Sequence, residues 1–238
     1  MSIFIGIMIP FIGTIFGAML VYIMKKELNR KIEIIIYGFA AGVMMAALIW
    51  SLLIPALEQS NIVPVIVGLT LGVGVFYLMD YVIERKKIQN NQMSNLMMAV
   101  TLHNIPEGMA VGVAFASYLA GGIGLATCYA LAIGIAIQNF PEGSVVSFPL
   151  LKKGFSKNRA FLYGVISAVF ELLGTIVTLM FTNFVVAIMP YMLAIAAGAM
   201  LYVIVVELIP ESCDKSKLNI IGFLIGFIIM MILDVLLG

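Results

Sequence analysis

Charge is what this sequence has least of. Of its 238 residues only 13 are Lys or Arg and 12 are Asp or Glu, while 63% are hydrophobic and the mean hydropathy is +1.16. That much apolar surface exceeds what a soluble domain hides in one core, so a bilayer is the expected solvent. Cysteine is almost missing: Cys128 and Cys213 fall at different predicted depths, which argues against a disulfide framework and a Cys-based zinc site. Histidine occurs once, at His103. Long polar stretches are absent, so no separate soluble domain is expected. The net charge of +1 carries no nucleic-acid signature, and no such partner is expected.

Crossing about 30 Å of hydrocarbon takes about 20 apolar residues per helix. Eight stretches meet that requirement, at 2–24, 32–57, 61–83, 95–118, 121–150, 160–188, 190–212 and 218–237. Two boundaries fall inside long uncharged runs, 108–141 and 172–206; the breaks are set at Gly121-Gly122 and just before Pro190, both helix interrupters. The basic residues test the count independently, because Lys and Arg accumulate in cytoplasmic loops. Lys25, Lys26, Arg30 and Lys31 follow predicted helix 1; Arg85, Lys86 and Lys87 follow helix 3; Lys152, Lys153, Lys157 and Arg159 follow helix 5; Lys215 and Lys217 follow helix 7. Every basic residue thus lies in alternate connections. The expected fold is an all-α membrane protein, a single transmembrane domain over 1–238 with eight spans, multi-pass in the cell membrane, both termini outside. The first segment has no basic n-region or small-residue cleavage site and reads as a retained helix.

The informative residues are those a membrane should reject. Predicted helix 4 contains His103-Asn104-Ile105-Pro106-Glu107-Gly108, and helix 5 repeats its core as Gln138-Asn139-Phe140-Pro141-Glu142-Gly143. Helix 6 adds Glu171. Each carboxylate costs about 2.5–3.5 kcal/mol at a helix centre, on the order of 8–10 kcal/mol for all three, and no Lys or Arg lies at that depth to pair with them. Protonation, water or a bound cation must compensate. His103 and Glu107 are four residues apart and Asn104 and Glu107 three, so all three share one stripe of helix 4; Gln138, Asn139 and Glu142 repeat the arrangement on helix 5. Pro106 and Pro141 lack N–H groups and would free the carbonyls of Leu102 and Ile137, kinking both helices beside the stripe.

Two carboxylates, one imidazole and several amide oxygens suit a borderline divalent ion, Zn²⁺ first, with Fe²⁺, Mn²⁺ and Cd²⁺ as alternatives. Calcium prefers oxygen alone. Met44 or Met45 on helix 2 could add a thioether, although with seventeen methionines the ordinary role of any one is packing. A lone buried histidine is ordinarily structural, and Glu171, Asn104 and Asn139 could simply bond helices together; the duplicated motif argues for a site. Glu58, Asp80, Glu207, Glu211, Asp214 and Asp234 lie near helix ends and read as solvated interfacial groups, with Glu58 and Glu207 placed to flank a pathway. No prosthetic group is expected. The same carboxylates could serve a metal-free proton or organic-ion carrier. A di-metal oxidase would need Glu-x-x-His on two helices and a zinc protease His-Glu-x-x-His, and a single histidine supplies neither.

Paired HNIPEG and QNFPEG segments on adjacent helices, eight spans and a helix 6 glutamate resemble the ZIP (Zrt/Irt-like) divalent metal transporters, in particular their GufA-like prokaryotic branch. The resemblance implies an inner metal site at His103, Glu107, Gln138 and Glu142, with Met44 added from helix 2. It implies a neighbouring second site at Asn104, Glu107, Asn139, Glu142 and Glu171, and an outer entrance past Ser51 and Glu58. It further implies that helices 1, 4, 5 and 6 move as a bundle against helices 2, 3, 7 and 8, carrying metal toward the cytoplasm, often in a homodimer. No small-xxx-small face stands out from the sequence for such a dimer. Many relatives have histidine where Gln138 stands and some an acid where Asn139 stands, so this site carries less charge. Arg85–Gln92 replaces the histidine-rich loop that many relatives carry between helices 3 and 4, and metal sensing there is not expected.

Overall fold

A computed structural model describes residues 3–24, 29–85, 94–152, 154–213, 215 and 217–237; within these, the side chains of His103 and Pro106 are among those not described. Lys25, Lys26, Lys86, Lys87, Lys153 and Asp214, and most of the 85–92 connection, lie outside the described residues. The described residues form eight consecutive helical segments: α1 (Ile3–Met19, continued by a 3₁₀ turn Leu20–Tyr22), α2 (Arg30–Glu58), α3 (Ile62–Arg85), α4 (Ser94–Leu119), α5 (Leu125–Lys152), α6 (Lys157–Met180), α7 (Thr182 to Ser212) and α8 (Leu218–Leu237). By length and composition, six are long and apolar enough to cross a membrane: α1, α2, α3, α6, α7 and α8.

Local chemistry sets the ends. Asn29 caps α2 by accepting from Lys31 N–H at 3.0 Å, and Ser156 caps α6 by accepting from Arg159 N–H at 3.4 Å. Gly121, at φ +78°, turns the chain between α4 and α5, where the sequence predicts a break. The other uncertain boundary differs from expectation. α6 ends at Met180, the break is at Phe181 (φ −124°, ψ 37°), and Pro190 lies inside α7. A helix tolerates an internal proline when its neighbours cover the freed backbone, and Pro190 is buried.

Pro106 and Pro141 also leave their helices uninterrupted. Irregular backbone appears instead in α2 and α7, as wide π-helical turns at Leu48–Leu53 and Ile204–Leu208. Both precede the same tripeptide, Leu53-Ile54-Pro55 and Leu208-Ile209-Pro210. Proline cannot donate to the carbonyl four residues back, and the wider turn reroutes the ladder: Ile54 N–H bonds Ile49 O and Ile209 N–H bonds Ile204 O.

The helices pack as four intimate pairs, α1 with α5, α4 with α6, α2 with α8 and α3 with α7. Glycine makes each pair possible. A Cβ on Gly13 would overlap the backbone of Ala136, and on Gly17 that of Phe140; Gly108 meets Glu171 in the same way, Gly38 and Gly42 meet Asn219 and Phe223, and Gly72 meets Ile195, while Gly112 meets the Thr178 side chain and the Thr175 carbonyl and Gly68 the Ala194 side chain and the Tyr191 carbonyl. Partner numbers rise together, so each pair is parallel. These are five-residue glycine repeats of the kind that let membrane helices approach closely. The expectation that no such face stands out is therefore corrected: the faces exist and are used within the chain.

Two halves result. In α2, α3, α7 and α8 an apolar cluster includes Met44, Ala47, Leu52, Met200 and Ile204, and one face of α4 (Ile105, Met109, Ala110, Val113) packs against it. In α1, α4, α5 and α6 two smaller clusters occupy opposite ends, one around Val111, Phe115, Cys128 and Ile135, the other around Val21, Leu150, Leu151 and Ala160. The polar residues of the repeated motif lie between them.

This packing is testable by substitution in metal-free detergent-solubilised protein. Gly108→Ala should lower thermal stability by about 1–3 kcal/mol, because its Cβ has no room against α6. Gly134→Ala meets nothing within 4 Å and should leave stability unchanged or raise it by up to about 1 kcal/mol.

Candidate metal site

Gln138 and Asn139 are consecutive on α5 and so point about 100° apart, one toward α4 and the other toward α6 and α1. Gln138 Nε2 donates to Glu107 Oε1 on α4 and to Glu142 Oε1 on its own helix, the latter at 3.3 Å. Asn139 Nδ2 donates to Glu171 Oε2 at 2.9 Å and to the Pro10 carbonyl of α1 at 3.4 Å. Asn104 Nδ2 donates to the Ser167 carbonyl and hydroxyl, both at 3.2 Å, joining α4 to α6. Thr175 Oγ1 donates to the Gly108 carbonyl at 2.8 Å and reinforces that pair. Asn104, Glu107, Gln138, Asn139, Glu142 and Glu171 are all at most 2% exposed.

Among the described side chains, the amide donors of this layer are engaged while several acceptors are not. Each of the three amide NH₂ groups already has two acceptors. Asn104 Oδ1, Glu107 Oε2, Gln138 Oε1, Asn139 Oδ1 and Glu171 Oε1 are buried without a partner. A buried acceptor with no donor is costly, more so when it belongs to a carboxylate. A cation that accepts several oxygens at once removes that cost.

The sequence-predicted ligands are thus brought together in part. Among the described side chains, no three of the His, Cys, Asp and Glu type form a metal cluster by themselves; amides stand between the acids. His103 sits in α4 one turn before Glu107, with its side chain outside the described set. Met44 is fully buried within the apolar cluster of α2 and α7, and Met109 of α4 belongs to the same cluster. Ser51 lies in the wide turn of α2, and Glu58 is exposed at the end of that segment.

Two acids read from sequence as solvated are bound instead. Asp80 Oδ2 accepts from Tyr202 at 2.5 Å. Asp234 Oδ1 accepts from Ser51 Oγ at 2.7 Å, and its Oδ2 is buried and unpartnered. Position near a helix end suggested solvent; contact across α2 and α8, 183 residues apart in sequence, decides otherwise. No short-range signal could have found that pair.

Comparison with known proteins settles the family. The family model described as "ZIP Zinc transporter" matches residues 82–234, well over half the chain. The chain belongs to the ZIP zinc transporter family. Zinc transporter GufA of Myxococcus xanthus is 34% identical over 91% of this chain and 91% of its own length. Zinc transporter ZIPB of Bordetella bronchiseptica is 32% identical over 96% of this chain and 79% of its own, and human zinc transporter ZIP11 is 31% identical over 93% of each. Membership in this ZIP family places the chain among transporters rather than enzymes, as the single histidine already argued.

If the orphaned oxygens bind zinc, ligand and folding are linked. Zinc at about a hundredfold excess over its dissociation constant should stabilise the wild type by about 2.7 kcal/mol. Thermal melting with and without zinc should show that gain in the wild type and its loss in Glu107→Gln and Glu142→Gln, which keep shape and remove charge.

Proposed function

We propose that this ZIP-family chain carries zinc across the cell membrane into the cytoplasm, holding it in the polar layer of α4, α5 and α6. The observation that carries this reading is the surplus of buried, unpartnered oxygen acceptors on Glu107, Glu171 and three amides, in a layer with no Lys or Arg. The relatives named as zinc transporters support the choice of ion. In this reading His103, Glu107, Gln138 and Glu142 form the inner site, with Met44 reaching in from α2. Asn104, Asn139 and Glu171 extend it to a second site through the shared glutamates. Ser51 and Glu58 line the outer entrance together with Asp234, whose free oxygen adjoins Ser51. Cd²⁺, Fe²⁺ and Mn²⁺ are competing cargo with the same donor preferences.

The proposed topology is eight spans with both termini outside. Strict alternation makes α1, α3, α5 and α7 run one way and α2, α4, α6 and α8 the other. Each of the four parallel pairs joins helices of one parity, which supports that count, as does the alternation of basic connections. The proposed motion moves α1, α4, α5 and α6 against α2, α3, α7 and α8. Among the described contacts, the interhelical side-chain bonds given above stay within one half, as do the ring pairs Trp50–Phe227, Phe76–Tyr202 and Phe115–Tyr129. The seam between halves is apolar and rich in methionine, with Met109 of α4 in one cluster with Met44, Met189 and Met200. Such a seam would slip without breaking the bonds named here, and the thioether adapts as it does.

Purified protein in liposomes provides the test. Wild type should accumulate zinc with time, and the folded His103→Ala/Glu142→Ala variant should not. No flux from well-folded wild type under an imposed zinc or pH gradient would refute transport. Binding requires neutral imidazole and ionised carboxylates, so apparent zinc affinity should fall as pH falls. An equilibrium zinc titration between pH 7.5 and about 5.5 checks that sign; affinity independent of pH would remove Glu107, Glu142 and His103 as ligands.

A further inference from the structure

The inner ends of the two halves differ in charge balance. At the inner end of α2 and α7, Arg30 pairs with Glu33 at 3.3 Å and donates to the Glu211 carbonyl at 3.0 Å, and Glu207 lies in the wide turn of α7. The other half has no such compensation among its described residues. The acids of α1, α4, α5 and α6 are Glu107, Glu142 and Glu171, all in the buried middle layer, whereas 152–159 carries Lys152, Lys153, Lys157 and Arg159 with no acid.

Lys157 is also held beside an apolar shelf, with Arg159 two residues further along α6. Lys157 Nζ donates to the Tyr22 carbonyl at 2.6 Å, which fixes the end of α1 against the start of α6. The Tyr22 and Phe161 rings stack tilted with centroids 5.4 Å apart. Next to them Ile23 is 79% and Leu162 55% exposed, and Arg159 is exposed. Aromatic rings with one wet edge belong at the membrane interface, and a basic cluster just inside it attracts anionic headgroups. Cationic rim and adjoining apolar shelf match the two parts of a phospholipid.

We infer that the cytoplasmic rim formed by Lys157 and Arg159, with Tyr22, Ile23, Phe161 and Leu162 below it, binds an anionic phospholipid of the inner leaflet. The charged headgroup meets the two cations, and an acyl chain lies along the shelf. The lipid would tether the inner end of the half proposed to move. The inference rests on the membrane orientation proposed above, but its readout needs no zinc.

Native mass spectrometry of delipidated protein, titrated with phosphatidylglycerol or phosphatidylcholine, tests it. Wild type should retain phosphatidylglycerol in preference, and K157Q/R159Q should lose that preference by about fivefold per charge removed. K215Q/K217Q removes equal charge from the other half and should keep it. R159Q alone, at an exposed side chain, serves if the double variant melts below wild type. Equal retention of both lipids, equal loss in both double variants, or displacement by inorganic phosphate at matched concentration would overturn the site. Because zinc is absent throughout, failure here leaves the transport reading standing, and failure of zinc flux leaves this one.

Discussion

Three carboxylates are buried at the centre of an apolar chain with no basic residue to meet them, and the surrounding structure is organised by that deficit. Among the described side chains, Asn104, Gln138 and Asn139 supply amide donors, and every one of their N–H groups is spent on a carboxylate, a carbonyl or a hydroxyl. Their carbonyl oxygens are left over with one oxygen each of Glu107 and Glu171. An amide is suited to this position because its two ends do different work: the NH₂ holds a protein acceptor in place while the carbonyl stays available. A histidine has one nitrogen for each task, and an acid has no donor at all. The amides therefore give a layer that is cross-linked and still rich in acceptors. Apolar clusters above and below it keep bulk water from relieving the deficit.

Holding the layer together falls to backbone contact rather than hydrophobic burial, since lipid tails compete with any apolar side chain and only close packing and hydrogen bonds distinguish a helix neighbour from lipid. Gly108 and Gly174 bring α4 and α6 to backbone contact beside Glu171, and Gly13, Gly17 and Gly143 do the same for α1 and α5. The carboxylates of α4 and α6 are thereby set by a rigid pair. The contact of α4 with α2 and α7 is of another kind, side chain against side chain, with Met109 in place of glycine. In the motion proposed above, two different kinds of interface on one helix would let the layer stay intact while that helix changed neighbours.

Much of this was readable from sequence because membranes impose long-period rules. The long uncharged stretches placed six of the eight described helical segments to within a few residues, and the repeated Asn-x-Pro-Glu-Gly core placed the polar layer. What was misread is local. Pro190 looked like a boundary, but α6 ends at Met180 with the break at Phe181, ahead of Thr182 and Asn183, while Pro190 was absorbed by α7. Pro55 and Pro210 did alter the backbone, through the wide turns ahead of them, and the shared Leu-Ile-Pro tripeptide was there to be noticed. The glycine repeats were hidden by their abundance: 22 glycines look like noise until pairing shows which faces they share. Asp234 needed the fold itself, because nothing near it in sequence announces Ser51.

In the proposed function the charge of the layer also bears on how many ions it would hold. Three ionised glutamates, at 107, 142 and 171, would offer an arriving divalent ion three negative charges. One bound ion would leave a single charge uncompensated, and a second would be drawn by that charge alone while repelled by the first. An acid at position 139 would add a fourth charge, which two divalent ions would neutralise completely. Asn139 instead cross-links Glu171 and the Pro10 carbonyl. For the proposed carriage of one ion that arrangement would help, because transport requires binding strong enough to capture and weak enough to release. A site nearly neutral with one ion aboard would give up that ion more readily than one that waits for a second.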